Sequence, residues 1–160
     1  MDVLVLGVGN PILGDDGAGI EVARRLEKRL RNSEVDVKEA ATGGVPLIEQ
    51  MVGYDRVLLV DAFLDADRGE VVMLTPDSLT NKESFSGVHD MDLVSSLQAI
   101  RSVYGGQLPP DEQIFIYGIG IDKTTKFSEG LSEEVEEAVQ EVVDSVISDL
   151  SASSEVGYES

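Results

Sequence analysis

The stretch Val3–Ile20, VLVLGVGNPILGDDGAGI, decides the fold. Val3 to Val8 form a continuous apolar run, the pattern of a strand covered on both faces in a parallel sheet. The run ends at Gly9 and passes through an acidic loop holding Asp15 and Asp16. From Ile20 the apolar positions Ala23, Leu26 and Leu30 then repeat at helical spacing. Arg24, Arg25, Lys28, Arg29 and Arg31 fill the polar face and last turn of that helix. Strand, acidic loop and helix make the first part of a βαβ unit.

Working outward, Val35–Glu39 alternates as a second strand, and Pro46–Val52 reads as a short helix after the turn at Thr42, Gly43 and Gly44. Arg56–Val60 is another buried strand, closing at Asp61. Two βα units in succession imply a parallel sheet. Gly69–Thr75 follows a polar turn beginning at Asp65 that is short enough for a hairpin, so an antiparallel strand is expected there. Asp90–Tyr104 carries Leu93, Val94, Leu97 and Ile100 on one helical face, closed by Gly105, Gly106, Pro109 and Pro110 ahead of the strand Ile114–Ile119. A capping-box pattern at Ser132 opens the last helix, whose buried stripe runs from Val135 to Leu150. The expected fold is a single-domain α/β protein, a three-layer α/β/α sandwich around a mostly parallel five-stranded sheet with one antiparallel strand. The domain spans residues 1–150. Residues 151–160 lack periodicity and are expected to form an acidic, flexible tail.

The 160 residues hold 12 Lys and Arg against 31 Asp and Glu, a formal net charge of −19. That sign opposes nucleic-acid phosphates and anionic membranes as partners. A hydrophobic fraction of 42% suits a packed core rather than a charge-driven disordered chain. The lack of cysteine excludes disulfides, thiolate metal sites, iron–sulfur clusters and a cysteine nucleophile. No apolar run reaches membrane-spanning length. A cytoplasmic protein without membrane association is therefore expected, and a monomer is the working expectation for its assembly.

In open α/β sheets ligands bind outside the carboxyl ends of the strands, near the point where the strand order reverses. Three polar features fall at that edge: the loop Gly9–Gly17, Asp61, and the lone histidine His89. Gly7 and Gly9 open like a dinucleotide fingerprint, but Ile12 occupies the third glycine position, and Asp15 and Asp16 would repel a pyrophosphate. The structural alternative for Asp16 is a cap on the first helix. Asp61 closes an apolar strand, where a carboxylate needs a cation or donors to offset desolvation. His89 alone reads more readily as a solvated loop or helix-cap histidine than as a ligand. Together, two carboxylates and one imidazole supply a divalent-metal set that zinc and nickel both accept.

Leu4–Ile20 resembles the N-terminal signature of the hydrogenase maturation proteases, endopeptidases that process large subunits of nickel–iron hydrogenases. Asp61 within LLVDA, and His89 spaced before Leu93 and Leu97, fall where that family places its other metal-binding residues. Thr42, Gly43 and Gly44 resemble the family's Gly-Thr-rich loop. The chain departs from the pattern at Gly87, often Ser in the family, and at Glu39, Ala40 and Ala41, which replace the usual acidic-Gly-Gly lead.

The resemblance implies that Asp16, Asp61 and His89 form the catalytic, metal-binding set, with Thr42, Gly43 and Gly44 contacting substrate. It further implies that a short C-terminal extension is removed from the large-subunit precursor after nickel insertion. Nickel would be presented by that precursor, with zinc or cadmium able to occupy the site in vitro. Three alternatives keep many of these residues: Asp16 and Asp61 as a metal-free proton-sharing dyad, a non-catalytic nickel-binding assembly scaffold, and a flavodoxin-like cofactor-binding domain.

Overall fold

In a computed structural model, the described residues are 1–31, 33–41, 43–80, 93–123, 128 and 130–154. Strand β1 is Val3–Val8, buried at every position. After a 3-10 turn at Gly14–Gly17 comes helix α1, Ala18–Arg29, followed by β2, Val35–Ala40, and α2, Gly44–Glu49. Then follow β3, Arg56–Phe63; β4, Val71–Leu74; α3, Pro76–Thr80; and α4, Leu93–Tyr104. Strand β5, Ile114–Gly120, and helix α5, Glu133–Ser154, complete the chain.

The five strands form one sheet in the order β2-β1-β3-β5-β4, with β4 antiparallel to β5 and the other pairs parallel. Alternation along the strands divides the core into two layers. Val5, Leu58, Val60 and Ile119 pack with Val22 and Leu26 of α1 and with Val139, Val142 and Val146 of α5. Leu4, Leu6, Leu59 and Ile116 pack with Leu47 and Ile48 of α2 and with Leu93 and Leu97 of α4. This is the expected α/β/α sandwich. The chain leaves β1 toward β2 on one side and returns to β3 on the other, so the switch in strand order lies between β1 and β3.

The structure corrects several sequence expectations. Strand β4 does not form a hairpin with β3, because β5 lies between them. Strand β5 is almost wholly buried and takes the inner position, whereas β4, with Met73 58% exposed, suits the edge. Strand β3 does not close at Asp61 but runs on to Phe63. Helix α2 begins at Gly44, whose φ of +69° a residue with a Cβ rarely adopts, and it ends at Glu49, short of Val52. Helix α3 is an addition. Helix α5 continues to Ser154, so the segment expected as a tail begins in helix, and residues 155–160 lie outside the described residues. Among the described residues no helix is long and apolar enough to cross a membrane.

Helix α1 meets the sheet at backbone distance. A Cβ on Gly19 would run into the carbonyl oxygens of Val8 and Val60, and one on Gly7 into the carbonyl of Gly19. Gly19→Ala is therefore expected to destabilise the fold by about 1–3 kcal/mol through overpacking. At about 2–4 °C per kcal/mol for a chain of this size, thermal unfolding followed by circular dichroism would show the loss.

Candidate active site

The β1–β3 ladder ends at the pair Gly7–Val60. Beyond it β1 departs into the loop toward α1, while β3 continues and pairs Asp61 with Gly118 of β5. Asp61 thus stands where the two central strands part, inside a strand rather than after one. It is fully buried, and its Oδ1 accepts the Ala62 N–H at 2.8 Å. Such a bond offsets part of the desolvation of a buried carboxylate.

Asp16 lies in the 3-10 turn Gly14–Gly17, which packs against β3. It is 3% exposed, and its Oδ2 accepts the Asn10 N–H at 3.1 Å. The capping alternative does not hold: the N-cap of α1 is Gly17, with no side-chain cap bond. Asn10 in turn accepts the Ile12 N–H on its Oδ1 at 3.2 Å, folding the loop back on itself.

Asp15 and Asp16 adjoin in sequence but part in space. The half-buried Asp15 carboxylate turns away and accepts the Ser132 N–H at 2.7 Å and the Ser132 hydroxyl at 2.8 Å. Ser132, the residue before α5, thus donates its hydroxyl to a carboxylate 117 positions away. Adjacent sequence gives no sign of this pairing.

Gly43 and Gly44 follow β2 at the same edge of the sheet. The neighbouring loops are tied by the Gly9 N–H, which donates to the Ala40 carbonyl at 3.1 Å. Asp16, Asp61, Gly43 and Gly44 thus share the carboxyl edge of the central strands. His89 and Thr42, also expected at the site, lie outside the described residues. Among the described residues no group of three or more His, Cys, Asp or Glu side chains is placed to hold a metal ion.

These features define a doubly wound α/β protein that carries carboxylates where a nucleotide-binding relative would cradle phosphate. A family described as hydrogenase maturation protease matches residues 20–149, and the chain belongs to that family of peptide-bond hydrolases. The match includes Asp61 and begins beyond Asp16. The chain is 30% identical over 116 residues to hydrogenase 2 maturation protease of Escherichia coli, covering 68% of each. It also resembles the solved hydrogenase maturating endopeptidase HybD from E. coli, with a TM-score of 0.74 and 27% identity over 96% of this chain and 94% of that one. The corresponding values for the [NiFe] hydrogenase maturation protease HybD from Thermococcus kodakarensis are 0.70 and 26%, over 94% and 99%. Family membership favours a protease over the scaffold and the flavodoxin-like domain.

A conservative substitution distinguishes a structural Asp61 from a functional one. Asparagine matches aspartate in shape and keeps the acceptor for the Ala62 N–H while removing a buried charge. Asp61→Asn should hold its Tm within about 4 °C of wild type, about 1 kcal/mol. A much larger loss in a thermal melt would mark Asp61 as a structural residue.

Proposed function

We propose that this protein removes a short C-terminal extension from the precursor of a nickel–iron hydrogenase large subunit, and does so after nickel has been inserted. The observation that carries the reading is the buried carboxylate of Asp61 at the parting of β1 and β3, beside the turn that buries Asp16. Burial of a carboxylate at a switch point is unfavourable unless donors, a cation or a proton compensate it there. Family membership supplies the substrate class.

In this reading the nickel arrives as part of the substrate. Asp16, Asp61 and His89 are the side chains that would engage it, and oxygen and imidazole donors suit nickel as well as zinc or cadmium. The chain itself has no cysteine, so sulfur ligands come from the precursor. Nickel bound there would supply Lewis-acid chemistry toward the scissile peptide group. The protein's own contribution is to present two fixed carboxylates, to align the scissile segment, and to recognise it through the Thr42, Gly43 and Gly44 loop. We place the reaction in the cytoplasm, where the precursor's cysteines stay reduced, and assign it to the monomer.

Incubation with nickel-loaded and nickel-free precursors, followed by mass spectrometry, tests this function. Loss of a C-terminal peptide is expected only from the nickel-loaded form. Equal cleavage of both forms would overturn the nickel requirement, and cleavage of neither would overturn the protease role on this substrate. Asp16→Asn, Asp61→Asn and His89→Ala should each lower kcat/KM by about 100-fold or more.

A further inference from the structure

The loop that carries Asp16 is stapled to the start of α5. The Gly14 N–H donates to the Ser128 carbonyl at 2.7 Å, and the Ser128 N–H donates to the Ile12 carbonyl at 2.8 Å. Leu13 and Ser128 form a parallel bridge. Asp15 completes the attachment by taking both donors of Ser132 on its two carboxylate oxygens. The local bonds inside the loop are longer: Leu13 N–H to the Asn10 carbonyl at 3.1 Å, and Asp16 N–H to the Leu13 carbonyl at 3.2 Å.

We propose that Asp15 is a positioning residue for Asp16, acting through Ser132. The inference rests on the reading of Asp16 as a site residue. A carboxylate that accepts an N–H and an O–H from one residue fixes orientation as well as distance, because each oxygen has its own partner. The negative charge also faces the N-terminus of α5, where the helix dipole favours it. Helix α5 is anchored by Val135, Val139, Val142 and Val146, each fully buried, so Asp15 ties the turn to a rigid support. Asp16 directly follows the clamped residue, so a rotation of the turn at Asp15 swings the Asp16 carboxylate away from β3. The two aspartates divide the work: Asp16 faces the site and Asp15 holds it there.

The experiment pairs kinetics with hydrogen exchange on the full chain. In Asp15→Asn and Ser132→Ala, kcat on the nickel-loaded precursor should fall at least about tenfold with KM within about twofold, as expected when a reacting group is misplaced but binding is kept. Ser132→Thr retains an N–H and a hydroxyl and should restore kcat. The losses in the double variant Asp15→Asn/Ser132→Ala should be less than the product of the single ones, since both act on the same contact. Exchange at the Asn10, Gly14 and Asp16 amides should accelerate about tenfold in Ser132→Ala while β3 amides stay protected.

A kcat within twofold of wild type in Asp15→Asn, or a loss explained by the unfolded fraction at assay temperature, would overturn the proposal. A wild-type protein that cleaves no precursor would instead overturn the proposed function. The exchange measurement would then still decide the clamp, and unchanged exchange in Ser132→Ala would contradict it.

Discussion

The site depends on the close approach of α1 to the backbone of β1 and β3. Glycine at positions 7 and 19 lets the first turn of the helix rest on the carbonyls of Val8 and Val60. That contact sets where the preceding 3-10 turn lies, and the turn in turn sets where Asp16 can reach. With a side chain in the way the helix would stand off the sheet, and the turn would lose its seat against β3. The parting of β1 and β3 sets the place of Asp61, and the glycines let the acidic turn pack against β3.

The same geometry sorts the protein's acidic residues. Most of the 31 carboxylates belong to the surface, where Arg25 binds Glu21 at 2.9 Å and Glu136 at 2.8 Å, joining α1 to the acidic face of α5. Arg24 meets Glu39 at 3.2 Å on the neighbouring β2. Exposed pairs of this kind each contribute little to stability, so packing of the two apolar layers holds the sandwich together. Asp16 and Asp61 differ in being buried, which is why the proposed function rests on them. Asp15 stands between these classes, half-buried and engaged by a residue on α5.

Much of the fold can be read from local pattern. Strand β1 is legible to the residue because a strand covered on both faces shows itself as an unbroken apolar run, and the stripe from Val135 identifies α5 for the same reason of uniform burial. The partner of β4 is not legible, since the turn after β3 permits a hairpin and only the competition of β5 for the inner position decides against it. Asp61 reads as a strand end because charge normally marks exposure, yet the strand carries it inside. At the site, Asp16 and Asp61 can be picked out by residue type at the edge of parallel strands. The Asp15–Ser132 contact cannot, because it joins residues 117 positions apart and leaves no periodic trace.

The central claim is that Asp16 and Asp61 are held for a cation at the parting of β1 and β3. It is tested most directly by anomalous diffraction from crystals of the protein soaked with nickel. A single strong peak bounded by the carboxylates of Asp16 and Asp61 and the imidazole of His89 is expected. Peaks confined to the acidic surface of α5, with none between Asp16 and Asp61, would contradict it.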